Sequence, residues 1–484
     1  MTGVEHLDVV IVGAGLSGIG AARRLQQEHP DKTFVLLEAR ANLGGTWDLF
    51  KYPGLRSDSD MFTLSYPFKP WRGTDSIADG ESILDYIAET AAETGIGRKI
   101  RYDTRVVAAD WDSAEARWTL TLERASGPGE SAGTVTCGFL YACAGYFDYA
   151  NGYTPDFLGV ESFTGTVAHP QLWPADLDCT GKQVAVIGSG ATAITMVPTL
   201  ARGAAHVTMV QRSPTWIIPQ PRRDPIADGL RAVLPPGIAH HAIRLKNIGF
   251  ASLVYWFCRT APRAASALMK GLATLLLRDR AVVAEHFTPR YAPWDQRLCV
   301  AVDADLFRAI RGGTVSMATD QVDAFVPEGV RLRSGRVVEA DVVVTATGLS
   351  MAVFGGVECR VDGRPVKFSD EFLWQGTMVS GMPNFAVGIG YSNAAWTLRA
   401  DLNARLVCRV LRHIDRHGGA PVVPKPARPM AAAPFLGLTS GYVQRSVDQF
   451  PHLGDQGPWR VRGYLRDLIA VRFGRLRELT KLRG

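Results

Sequence analysis

Two glycine-rich turns, each set between a β-branched run and a helical one, constrain this chain more than any other feature of it. The first stands in LDVVIVGAGLSGIGAARRL, as Gly13-x-Gly15-x-x-Gly18. Leu7 to Val12 has the apolar, β-branched make-up of a strand buried in a parallel sheet, and Ala, Leu and Arg at helical spacing follow at once. Between them Gly13 turns tightly, Gly15 lets backbone approach a pyrophosphate, and Gly18 lets helix pack on strand. The first amides of the helix then face that phosphate. A second strand, TFVLLE, ends at Glu38, whose carboxylate can accept hydrogen bonds from ribose hydroxyls. Strand, turn, helix and acid together point to a bound dinucleotide, against the plainer reading of a tight turn alone.

The unit recurs in QVAVIGSGATAITMVPTL, with strand Gln183 to Ile187, turn residues Gly188 and Gly190, and Ala193 in the third position. Its second strand, HVTMVQR, carries Gln211 where the acid would stand, followed by Arg212 and Ser213. A carboxylate there would repel a 2′-phosphate, whereas Arg can pair with it bidentately. A solvated strand-end arginine is the bland alternative. Two cradles of opposite selectivity imply two different dinucleotides, and an α/β fold with two Rossmann-like domains.

The rest of the composition narrows the class. At ~150 residues per domain, 484 residues suggest two to four domains. No apolar run reaches the ~18 to 20 residues of a membrane span, and the N-terminus lacks a signal-peptide layout. The seven cysteines are scattered without a C-x-x-C pair, which argues against a disulfide framework, a cysteine-rich metal site or a redox dithiol, and fits a reducing cytoplasm. Net charge is +6, and Trp459 to Gly484 holds eight basic residues against two acidic ones, so this tail accounts for the whole excess. No nucleic-acid-binding module accompanies it.

Two further strand ends, FLYACAGY (Phe139 to Tyr146) and ADVVVTATGL (Ala340 to Leu349), finish in small residues and read as chain crossings between domains. From Asp224 to about Arg280 the pattern turns helical, as an insertion in the second nucleotide-binding domain.

Two segments carry more specific information. Gly44 to Asp58, GGTWDLFKYPGLRSD, combines close-approach glycines, the flat surfaces of Trp47 and Tyr52, a Pro53-Gly54 turn, and opposite charges at Arg56 and Asp58. Phe163 to Trp173, FTGTVAHPQLW, reads by itself as an interdomain connector with a buried His169. The pair resembles the two fingerprints of type I Baeyer-Villiger monooxygenases: F-x-G-x-x-x-H-x-x-x-W, and [A/G]-G-x-W-x4-[F/Y]-P-[G/M]-x3-D matched at every fixed position. The likeness covers nearly the whole chain, in family order.

That resemblance implies FAD in the first cradle and NADPH in the second. It divides the chain into an FAD domain, 1–160 and 376–484, around an NADP domain, 161–375, with the helical insertion at 224–290. The FAD candidates are Gly13, Gly15, Leu16, Ser17, Gly18, Glu38, Gly45, Thr46, Trp47, Asp58 and Val106. The NADP candidates are Gly188, Ser189, Gly190, Ala191, Thr192, Ala193, Arg212 and Ser213. It also carries the active-site arginine over to Arg297 in APWDQRLC, with Asp58 as its partner and cofactor contacts for both. Read without the family, Arg297 could equally sit at a packed helix start or in a structural salt bridge. Many relatives have Lys before this arginine; here Gln296 stands there, which puts more of the phosphate duty on Arg212. No metal is expected, and Ser57 is not expected to act as a nucleophile.

The implied reaction is an NADPH- and O2-consuming conversion of ketones to esters or lactones through a C4a-peroxyflavin, with sulfoxidation beside it. The alternatives are a flavin monooxygenase acting on sulfur or nitrogen centres, and a non-catalytic flavoprotein. The expected location is cytoplasmic. The apolar insertion and basic tail leave open peripheral contact with a membrane, against a reading in which the insertion packs on protein and the tail is a solvated helix.

Overall fold

The computed structural model describes residues 4–127 and 129–482. Its largest sheet has 11 strands and grows around Glu5–Val12, which pairs in parallel with Phe34–Leu37 on one side and Ser131–Ala142 on the other. Val9, Val10 and Ile11 are fully buried, as a strand covered on both faces demands. Arg105–Asp112, Arg117–Glu123 and Ser131–Ala142 form an antiparallel meander on this sheet. The chain returns to the same sheet late, with Glu358–Val361 beside Arg105–Asp112 and Phe385–Val387 beside Ser131–Ala142.

The second sheet has five strands, all parallel, in the order Val315–Thr319, His206–Gln211, Gln183–Ile187, Val342–Thr345, Thr166–Ala168. Four helices follow its first half: Pro225–Val233, Pro236–Thr260, Pro262–Leu277 and Arg280–His286. Where the chain crosses between the sheets, Phe147–Gly152 and Leu349–Met351 pair as a two-stranded antiparallel ribbon.

The basic tail departs from a simple solvated helix. Trp459 is buried in the main core, Tyr464–Phe473 is helical, and Leu479–Lys481 pairs with Val422–Pro424. Asp467 is buried against Arg399 at 3.1 Å, which fixes this helix to Trp396–Arg416. Arg483, counted among the tail's basic residues, lies outside the described residues. No described helix is long and apolar enough to cross a membrane, and all seven cysteines are free and buried.

Candidate active site

Both glycine turns close on the crossing strands. Gly13 adopts φ +100°, and a Cβ there would lie 2.8 Å from the Cys143 carbonyl oxygen; Gly188, at φ +144°, would meet the Ala346 oxygen at 2.2 Å. Only glycine fits either place. Gly18 supplies helix-on-turn contact, since its Cβ would come within 1.9 Å of the Gly13 oxygen. Gly15 differs: its Cβ would meet Gly45 Cα at an ordinary 3.5 Å, so this glycine leaves surface open toward the Gly44–Gly45 loop. That loop is tied back by Gly44 N donating to Ala14 O.

The first cradle's candidates gather here. Leu16 and Ser17 begin the helix Leu16–Glu28, and Ser17 Oγ accepts from Trp396 Nε1 at 2.7 Å. Glu38 is buried and accepts from Ala14 N and Arg40 N at 2.7 and 2.9 Å. Burial pushes its carboxyl up, against those two backbone donors. Two of its roughly four lone-pair sites remain for ribose hydroxyls. Thr46 Oγ lies 3.3 Å from the Tyr149 hydroxyl, and Trp47 packs on the main core. Val106 is a buried meander residue; Thr104 N donates to Glu38 O, which sets that strand beside the acid.

In the second cradle Gly190 precedes Ala191–Leu200, and a Cβ on it would meet nothing within 4 Å. Ala191 and Thr192 occupy the first turn, while Ala193 is fully buried. Ser189 Oγ donates to Ser213 O at 3.1 Å, joining the turn to the end of the next strand. Gln211 is buried, and its amide nitrogen donates to His286 O and Thr319 Oγ. Gln therefore has a structural reason beyond lacking charge: an unpaired buried amide costs ~1 to 3 kcal/mol. Arg212 is exposed and has no ion-pair partner among the described residues.

Asp58 and Arg297, far apart in sequence, come near one another. Neither forms a contact ion pair with the other, yet each feels the other's charge. Burial raises the Asp58 carboxyl, opposed by Arg297 and then Arg56. Burial works against the Arg297 cation, but Asp58, Tyr146 and Tyr442 outweigh it and its pKa rises. The segment carrying Arg297 is irregular, between Arg280–His286 and Cys299–Val302, which sets aside the packed helix start. Of the two opposite charges after Pro53-Gly54, Arg56 pairs with Asp305 at 2.6 Å, and both side chains are largely screened from water.

His169 is half-buried at the crossing ribbon. Its Nδ1 accepts from Gln171 N at 3.1 Å, so Nε2 carries the proton and donates to Gly348 O at 3.2 Å. Burial lowers its pKa.

Three residues of this cleft carry no motif. Tyr146 packs on Trp396, with ring centroids 5.3 Å apart. Tyr442 and Arg445 come from a late segment held by Thr439 N donating to Asp295 O at 2.8 Å. Arg445 lies on the Tyr153 ring and is close enough to Arg212 for the two cations to repel. An Arg capping the C-terminus of the short helix Gly441–Gln444 gives no sequence signal; only the fold shows its neighbours.

The family model for flavin-binding monooxygenase-like proteins matches residues 7–224. FAD-containing monooxygenase EthA of Mycobacterium tuberculosis (strain ATCC 25618 / H37Rv) is 48% identical, over 98% of this chain and 96% of its own. The chain belongs to the FAD-containing monooxygenase family. Another relative in that family, the probable FAD-binding monooxygenase AlmA of Acinetobacter baylyi, is 43% identical over 97% of this chain and 95% of its own. Among solved structures, oxidized steroid monooxygenase bound to NADP aligns with TM-score 0.77 at 23% identity, over 99% of this chain and 100% of that one. Cyclohexanone monooxygenase bound to epsilon-caprolactone aligns with TM-score 0.72 at 18% identity, over 87% and 90%. Monooxygenases of this family and these structures share one two-domain α/β fold.

Proposed function

We propose that this flavin monooxygenase is of the Baeyer-Villiger type, binding FAD at the Gly13–Gly18 cradle and NADPH at the Gly188–Ala193 cradle, and inserting one oxygen atom of O2 into a ketone to give an ester or lactone. The residues fit both groups: open surface at Gly15 and Gly190, spare acceptor capacity on Glu38, and an Arg212 with no ion-pair partner among the described residues. Reduced FAD supplies the oxygen-transfer chemistry when bound.

Arg297 carries the reading. It is a guanidinium with no contact ion pair among the described residues, which leaves donors for the anionic oxygen that must attack a carbonyl and for the alkoxide that follows. Asp58 positions it and keeps it charged. Arg445 beside Arg212 supplies a second cation for the 2′-phosphate. The large-sheet unit thus serves FAD and the five-stranded unit NADPH. We propose that the enzyme works in the cytoplasm and in peripheral contact with lipid, where apolar ketones concentrate.

The test is NADPH consumption by purified holoprotein with a ketone, with a sulfide, or with nothing added, and products weighed by mass spectrometry. An ester or lactone from the ketone supports the proposal. Oxygenated sulfide alone would replace it with a sulfur- and nitrogen-oxidising enzyme, and consumption without product would leave a flavoprotein of another kind.

A further inference from the structure

The C-terminal region builds a second charged hollow that the proposed chemistry does not use. A cavity of about 460 Å³ is lined by six arginines: Arg399, Arg460, Arg462, Arg466, Arg475 and Arg477. Its one carboxylate, Asp467, is already spent. It accepts from Tyr391 Oη at 2.7 Å, from Arg399 at 3.1 Å and from Arg462 N at 3.0 Å. Arg399 is buried in that pair, while the other five arginines have no ion-pair partner among the described residues. Like charges converge on one hollow here with nothing of opposite sign to meet them, which is an unfavourable arrangement unless an anion joins it.

The same helix presents an unusual outer face. Leu465, Ile469 and Phe473 recur every four residues along Tyr464–Phe473 and are 53%, 60% and 72% exposed. That spacing places them in one stripe. Ile469 also lines the arginine cavity, so apolar stripe and charged hollow are continuous. The neighbouring helix Pro236–Thr260 shares a small core with this region through Ile248, Val461 and Tyr464, and it too exposes Leu253 and Trp256. Neither helix can cross a membrane.

We propose that this face docks on an anionic bilayer, with the Leu465–Ile469–Phe473 stripe entering the acyl boundary and the arginine hollow receiving lipid phosphate. Charge complementarity selects the lipid, and the stripe selects a bilayer over a soluble polyanion, which would engage the arginines and leave the apolar ridge in water. The surface rests on the lipid-side setting proposed above, but its test reads binding and not turnover, so either can fail without the other.

Holoprotein is floated with vesicles of phosphatidylcholine alone and of phosphatidylcholine containing about one third phosphatidylglycerol. Binding at least tenfold greater to the anionic vesicles, and release as salt screens the charges, is the expected result. Arg466→Glu and Arg475→Glu, each tested singly, should weaken it, and Leu465→Ser with Ile469→Ser should abolish it. Leu158→Ser, an exposed apolar change elsewhere, should leave it unaltered. All of these positions are exposed, and matching flavin content and melting temperature verify that each variant is folded. No flotation with anionic vesicles at low salt would overturn the proposal. So would undiminished binding by the Leu465/Ile469 variant. Stabilisation by free glycerol phosphate without any vesicle binding would assign the arginines to a soluble phosphate ester instead and overturn the docking.

Discussion

The Arg445 guanidinium carbon lies 3.4 Å from the centre of the Tyr153 ring, and Nη2 of the same group points to Leu349 O at 3.4 Å. One side chain thus touches both crossing segments and stands beside Arg212, with its charge disfavoured first by burial and then by that neighbour. A dianionic phosphate between the two arginines would relieve the repulsion. Arg212→Ala should raise the KM for NADPH by roughly 10- to 150-fold, from the ~1.5 to 3 kcal/mol of a charged hydrogen bond, while barely moving that for NADH. Arg445→Ala should act in the same direction and less strongly. Steady-state kinetics with both nucleotides decides it, and equal effects on the two would remove these residues from phosphate recognition.

Arg297→Ala should leave FAD bound and lower the rate of ester formation by roughly 10²- to 10³-fold, the usual consequence of removing a donor to an oxyanion. Asp58→Ala should be milder, because it acts through Arg297. Product yield per NADPH, measured alongside flavin absorbance, separates lost chemistry from lost cofactor.

Gly15 and Gly18 should fail differently although they share one turn. A Cβ at Gly18 collides with the Gly13 oxygen, so Gly18→Ala should destabilise the protein by about 3 kcal/mol, the upper end of ordinary single substitutions. A Cβ at Gly15 meets only ordinary contacts, so Gly15→Val should give folded, colourless protein whose pyrophosphate approach is blocked. Denaturant midpoints and flavin content measured together check both, and a fully yellow Gly15→Val would exclude the first cradle as the FAD site.

The crossing ribbon should loosen in acid. His169 is folded as a neutral ring with its pKa below the ordinary 6.5. Below that value the unfolded chain binds a proton that the folded one refuses, so His169 makes stability fall as pH drops from 6.5 toward the folded pKa. His240, His286 and His413 are shifted the same way, so the wild-type slope is a sum. Subtracting the melting curve of His169→Gln from that of the wild type across pH 5 to 7.5 isolates the one group; identical slopes would contradict the assignment.

The sequence by itself determined the two strand–turn–helix units, because glycine at a forced φ, β-branched strands and helical spacing are written in contiguous residues. Strand Gln183–Ile187 lies where its residues alone put it, and Glu38 directly follows the strand Phe34–Leu37, one residue beyond its end. The arrangement of charge in the cleft was decided only by tertiary structure. Arg56 finds Asp305 across 249 positions, not the aspartate two residues away, and Asp58 comes near Arg297. Tyr146 and Tyr442 reach Arg297 from two distant segments, and Arg445, on the same late segment as Tyr442, reaches Arg212. A turn is fixed by local backbone sterics, whereas an ion pair between distant residues depends on which strand lies beside which, and that is settled by burying both sheets at once.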